Sequence, residues 1–321
     1  MSYSLDSSTP TSKVIHINSA DATTYLATYS QGGSDFDFTS YFRVFFEEGI
    51  NAPIGTRMLV SLHSATIPYS FYNIRNEVNN EIYYKIDGLS TIHKLSIPEG
   101  SYTSSSLRNK VASLLLEVLS GGVVVGFDKT TQKFSFKVNT SHDSSRNFTF
   151  VFGQGAGYDA NIELGFGANE TKTITSTISY STNVVDVNGT IHGLFIRTNI
   201  TTDGSIDSKT KGLNTILGRI PIESNFGSIL FFNPSNSSHK ILIHNNTLNQ
   251  FVIKLTDERN RLVNLNGLHF TIAIQVDFIN YVAYTPPPEN IRYIKVKKDI
   301  EREKEEKEYR AKKQKDKFRF G

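Results

Sequence analysis

Eight histidines are spread along the chain, His16, His63, His93, His142, His192, His239, His244 and His269, and imidazole is the side chain best suited to hold a transition metal or move a proton near neutral pH. None is spaced as His-Glu-x-x-His and none adjoins a pair of carboxylates, so a metal centre would need long-range contacts to assemble it. The nearest pair, His239 and His244, flanks one apolar strand at an odd separation and so faces opposite sides, which reads as two surface histidines. The densest glycine loop is Gly153-Gln154-Gly155-Ala156-Gly157. A phosphate cradle needs a strand before such a loop and a helix directly after it, whereas Asn161-Ile162-Glu163-Leu164-Gly165-Phe166 follows here and predicts a β-connection. No Gly-x-Ser-x-Gly elbow is present, and with no cysteine there is neither a thiol nucleophile nor a thiolate metal site. The residue types predict no catalytic site, no metal and no cofactor.

One constellation does point to a partner. From Arg292 to Arg319 there are 13 basic and 7 acidic residues, a net of about +6 in a chain whose total is +3, so the body before it is mildly acidic. The last residues concentrate that charge in Arg310, Lys312, Lys313, Lys315, Lys317 and Arg319 and end in Phe318-Arg319-Phe320-Gly321. Clustered cations beside aromatic rings suit nucleic acid, an anionic membrane surface or an acidic groove on another protein. Arg302, Arg310, Lys312, Lys313 and Arg319 are the expected interaction residues. Pro286-Pro287-Pro288 cannot continue a strand and is stiff and extended, which makes it the hinge and spacer of the tail. Between them the Glu/Lys-rich run from Asp299 to Lys317 predicts a solvated helix supported by pairs at i, i+4.

The elements that must position these features are mostly strands. Short aromatic and β-branched runs recur every 8 to 15 residues or so, cut by Gly, Pro, Asn, Asp and Ser. The clearest are 36–46, 57–67, 81–86, 94–97, 133–138, 148–152, 185–196, 228–232, 240–244, 250–255 and 268–279. In the last, Phe270, Ile272, Ile274, Val276 and Phe278 share one face, which predicts a core strand. A single interval has helical spacing: Leu107, Val111, Leu114, Leu115 and Val118 follow the hydroxyls of Ser104-Ser105-Ser106 and stop at Gly121-Gly122. With the hairpin 123–127/133–138 beside it, this makes a small α+β unit inside a β protein.

The expected organisation is therefore mainly β: a β-sandwich formed by 35–80 and 169–282, an inserted α+β domain at 81–168, an N-terminal arm at 1–34, and a Pro spacer with a charged helical tail at 283–321. With 321 residues, 38% hydrophobic and 20% charged, the chain can bury a substantial core and is not compositionally disordered. No stretch reaches the ~18 apolar residues of a membrane helix, and Met1 to Lys13 carries no secretory signal.

Several segments, in order, resemble one family. The run from Ile54 through Ile67-Pro68-Tyr69-Ser70-Phe71-Tyr72-Asn73-Ile74 to Asn79-Asn80 is similar to penton and minor capsid proteins of virophages, polinton-like elements and large eukaryotic DNA viruses. So are Ile15-His16-Ile17-Asn18-Ser19-Ala20-Asp21 with Ser34-Asp35-Phe36-Asp37-Phe38, Ile97-Pro98-Glu99-Gly100-Ser101-Tyr102-Thr103, Leu164-Gly165-Phe166, and Ile253-Lys254-Leu255-Thr256-Asp257 with Val263-Asn264-Leu265-Asn266-Gly267. The resemblance implies a jelly-roll penton protein at the vertex of an icosahedral double-stranded DNA virus. It would reside in the virion, assemble inside the host cell, form a homopentamer, and contact the major capsid protein and other minor capsid proteins. A second reading is a minor capsid component or a module on which the insertion binds a host receptor or glycan. A third, a sandwich-fold enzyme acting on glycans, is disfavoured by few strand-borne carboxylates and no tryptophan.

Overall fold

The computed structural model describes residues 12–31, 34–87, 89–119, 122–139, 147–154, 157–188, 191–207, 212–234, 240–243, 245–280 and 299–310. Two antiparallel sheets enclose a first core. One contains β1 (Ser12–Asn18), β19 (Thr271–Asn280), β6 (Thr56–Pro68) and β16 (Ile229–Phe232) in that order, with β17 (Ile241–Ile243) also pairing with β6. The other runs β15 (Gly212–Pro221), β14 (Gly193–Asp207), β18 (Thr247–Thr256), β5 (Tyr41–Asn51) and β2 (Thr24–Tyr25). Strand alternation sends one set of side chains inward: Met58, Val60, Ile272 and Ile274 from the first sheet meet Phe42, Leu194, Phe251 and Ile253 from the second, all fully buried. Phe42 and Phe270 touch edge to face across this core, their ring centroids 5.8 Å apart.

A second core lies between β6 and β14 in the chain. It joins a sheet of β8 (His93–Ser96), β7 (Glu81–Ile86), β11 (Phe148–Val151) and β12 (Thr171–Ile174) to one of β9 (Val123–Asp128), β10 (Lys133–Val138) and β13 (Ser179–Tyr180). The helix α1 (Ser104–Val118) covers it. Thr103 caps α1, accepting from the Ser106 amide, while the Ser106 hydroxyl accepts from the Thr103 amide. This reciprocal pair satisfies two otherwise orphaned donors. The spacing of Leu107, Val111 and Leu115 puts all three on the buried face, whereas Leu116 and Val118 are exposed. Phe134, Phe136, Phe148, Phe150, Phe152 and Phe166 fill the centre. A short hairpin, β3 (Thr28–Gln31) with β4 (Ser34–Asp37), stands apart from both cores.

Three expectations change. Residues 12–18, read within an N-terminal arm, form β1, and all seven pair with β19. The strand expected at 36–46 is broken at Thr39-Ser40: Ser40 is fully buried and its carbonyl accepts from Leu255 N, so the chain turns there before β5. The strand expected at 185–196 begins only at Gly193, because Val185 belongs to the second core, as do β12 and β13 from the start of the range 169–282 expected in the sandwich. The helix at 299–310 forms a separate unit and is exposed along its whole length.

Candidate functional site

A polar network lies where the chain passes between the cores. Leaving β6, the backbone runs through Asn73-Ile74-Arg75-Asn76-Glu77-Val78-Asn79-Asn80 before β7. A connection buried at both ends must hydrogen-bond its own polar groups there, and asparagine, with donor and acceptor on one short side chain, is suited to the task. Asn73 accepts from the amides of Ile74 and Tyr102 and donates to the Tyr102 carbonyl. Asn79 accepts from Arg75 N and donates to the Asn73 carbonyl and, at 2.6 Å, to Glu163 Oε1. Asn80 accepts from Glu77 N and donates to the Ile97 carbonyl.

Charge enters through Arg75. Its Nη2 donates to Asp257 Oδ2 at 3.1 Å, and Arg261 Nε donates to the same oxygen at 2.8 Å. Asp257 is wholly buried; its Oδ1 accepts from the amides of Arg259 and Arg261, which folds 257–261 into a tight loop. Burial and the neighbouring Arg261 lower the Arg75 pKa, with Asp257 acting in the opposite sense. Glu163 is 1% exposed, and burial pushes its pKa up to about 7 despite the hydrogen bond from Asn79. Nearer the surface, His192 bridges the two sides, with Nε2 at 2.8 Å from Asp186 and Nδ1 at 3.5 Å from Glu258. Burial lowers its pKa, but the two carboxylates outweigh that and the net shift is upward.

A cleft of about 740 Å³ opens beside this network, lined among others by Tyr29, Tyr72, Arg75, Glu77, Glu99 and Arg261. A raised carboxyl pKa in a cleft is a signature of acid–base catalysis, but Glu163 is sealed from solvent and its oxygen is held by Asn79. No substrate can reach it, so the arrangement clamps the two cores together.

The residues expected from sequence lie elsewhere. Arg302 and Arg310 sit on the exposed helix at 299–310, where Arg310 approaches Glu306 at 3.8 Å one turn away. Lys312, Lys313, Arg319 and the hinge Pro286, Pro287 and Pro288 lie outside the described residues, as do His239 and His244. Among the described residues no three His, Asp or Glu side chains gather as a metal site, and no helix is long and apolar enough to cross a membrane. Sequence reasoning had not singled out the clamp as a site. Its signal was the four asparagines within 73–80, a polar density that neither a strand nor an open loop requires.

The fold thus belongs to the mainly-β class, two sheets around one core with a second α+β core in one of their connections. No family model matches the sequence, and no curated protein does. Among solved structures, the chain is similar to the mavirus penton protein, at 12% identity and a TM-score of 0.48, over 84% of this chain and 99% of that one.

Proposed function

We propose that this protein is a structural capsid component, a jelly-roll penton protein carrying an inserted domain. The observation that carries the reading is strand order. Taking β1, β5, β6, β14, β15, β16, β18 and β19 as eight successive strands, the sheets read first-eighth-third-sixth and second-seventh-fourth-fifth. That interleaving is the order expected of the double Greek key in a jelly roll, an architecture used by viral capsids, and it supports the reading. The second core occupies the connection between the third and fourth strands, which supports treating it as an insertion.

Several of the segments that resemble penton and minor capsid proteins meet at or beside the clamp, which supports the same reading. Asn73 and Asn79-Asn80 bond to Tyr102, Glu163 and Ile97, while Ser70 and Asn266 are tied together through the Leu265 and Ser70 carbonyls. Self-assembly is favoured by the edge of the first sheet. There β16 presents Ile229 at 50% and Phe231 at 77% exposure, and an apolar sheet edge is a surface for another chain to cover. The proposed partners are further copies of this chain, with five around a vertex, and a major capsid protein. The exposed charged helix, with the basic residues beyond it, is proposed to reach a neighbour, the inner membrane or the genome of a double-stranded DNA virus.

Light scattering of the purified protein at about 50 to 500 mM salt, a range that screens surface charge, tests the reading. A five-fold mass, or five-fold rings formed on co-expression with a major capsid protein, is expected. A monomer that fails to associate in either setting overturns it.

A further inference from the structure

The cleft of about 740 Å³ beside the clamp is faced with aromatic rings, and its volume lies within the roughly 300–1,000 Å³ of small-molecule sites. Tyr29 and Phe38, from the hairpin β3–β4 and its exit, have ring centroids 4.9 Å apart. Tyr72 enters from the connection leaving β6, its ring 6.1 Å from that of Phe226. The rings continue beyond the cleft: Tyr29 also lies 5.7 Å from Phe36, and Phe36 and Phe226 are 47% and 46% exposed. Exposed aromatic surface leading into a concavity marks a place for another molecule.

The polar groups select the kind of molecule. Both signs of charge line the cleft, Glu77 and Glu99 against Arg75 and Arg261. A strongly anionic ligand would meet the carboxylates and a strongly cationic one the guanidiniums, so the lining favours a neutral ligand that both donates and accepts hydrogen bonds. The amides are fixed in advance. Asn266 Nδ2 donates to the Ser70 carbonyl at 2.6 Å, and Asn264 Oδ1 accepts from Asn266 N at 2.9 Å, which leaves Asn266 Oδ1 as an acceptor and Asn264 Nδ2 as a donor. Asp257 holds Arg261 through Nε at 2.8 Å. Glu77 and Asn266 both have left-handed backbone, at φ +55 and +52, and such strain persists where the surroundings over-determine it, as at ligand sites.

We propose that this cleft binds a neutral oligosaccharide, the apolar faces of its rings against Tyr29 and Tyr72 and its hydroxyls on Glu77, Glu99, Asn264 and Asn266. Aromatic rings support the carbon-bound hydrogens of a pyranose face, and planar carboxylates and amides match pairs of neighbouring hydroxyls. Of the inserted domain only Glu99 lines the cleft, so the site differs from the insertion-borne glycan site expected from sequence. It goes beyond the capsid reading and does not depend on it, since that reading is tested by the mass of the assembly.

The experiment is NMR titration of the full chain with lactose, maltose, cellobiose and N,N′-diacetylchitobiose at millimolar concentration, with a heparin-derived disaccharide as the anionic control and spermidine as the cationic one. At least one neutral disaccharide is expected to bind, and more tightly than either charged control. Tyr29→Ala, on a hairpin that stands apart from both cores, and Glu99→Ala, at an exposed position, are each expected to weaken that binding about fivefold or more, as the loss of one good contact does. Both variants should melt within about 2 °C of the wild type. No binding of any of the neutral disaccharides overturns the proposal, as do tighter binding of a charged control and an affinity unchanged in both variants.

Discussion

Arg75 and Asp257 meet at 3.1 Å across 182 residues of chain. One leaves the first core toward the second; the other ends the strand that pairs with both β14 and β5. Their contact, with Arg261 on the same oxygen, ties the connection to the sandwich wall. Asp257→Ala would leave two guanidiniums facing each other without the buried carboxylate they share. Removing one partner of a buried pair costs about 3–5 kcal/mol, and that loss is expected here in chemical denaturation. Arg75→Ala together with Asp257→Ala should cost less than the sum of the single changes, and strict additivity would show that the pair is not coupled.

Glu163 makes the clamp pH-dependent. Its pKa in the folded protein, about 7, lies above the ordinary 4.5, so the folded state holds a proton that the unfolded state releases. Its contribution is fully present below about pH 4.5 and is lost as pH rises through 7. A shift of that size corresponds to roughly 3 kcal/mol. Glu163→Gln, which keeps the acceptor for Asn79, should flatten that part of the stability profile and make the variant the more stable protein at pH 8. A variant that follows the wild-type profile from pH 5 to pH 8 would show that another group titrates.

Much of this fold was legible in the sequence, and the reasons are physical. The alternation from Phe270 to Phe278 survives because one face of β19 must be apolar, and the spacing of Leu107, Val111 and Leu115 survives because α1 has one buried stripe. The strand β15 was not legible, since its opening Gly212-Leu213-Asn214-Thr215 has little strand character and is held by pairing with β14. Nor was β1 legible as a sheet strand: of its apolar residues only Ile17 is buried, and the rest of its order comes from β19. The clamp was hidden for a similar reason. Asp257 looks like an ordinary turn residue until Arg75 arrives from a remote part of the chain.

Gly165, inside the Leu164-Gly165-Phe166 segment, adopts φ +79, and a Cβ there would stand 2.6 Å from the Asn183 carbonyl oxygen and 2.8 Å from Ser181 Oγ. Gly165→Ala therefore meets both left-handed strain and a backbone collision, and more than about 2 kcal/mol of stability is expected to be lost. Gly157 has φ +94 with nothing within 4 Å, so Gly157→Ala carries the strain alone and should cost about 1 kcal/mol. Equal losses in the two variants would remove the collision from the account.

The charged helix is exposed along its whole described length, and an isolated surface pair such as Arg310–Glu306 adds little stability. Truncation after Thr285 should leave the body folded, with its melting temperature changed by less than about 2 °C, while weakening incorporation into capsids. A large fall in melting temperature would show that the tail packs on the body.

Phe231 tests the proposed assembly surface. At 77% exposure it contributes little to the core, while its neighbour Leu230 is 3% exposed and anchors β16 inside. Phe231→Lys puts a charge on the edge without disturbing that anchor, a device by which sheet proteins block edge-to-edge pairing. The variant should melt within about 2 °C of the wild type, yet its mass in light scattering should fall to that of a monomer under conditions where the wild type associates. Leu230→Ala provides the contrast: a buried leucine cut to alanine costs about 2–5 kcal/mol, and its effect should appear first in the melting temperature. If Phe231→Lys assembles like the wild type, the edge of β16 is not the contact between copies.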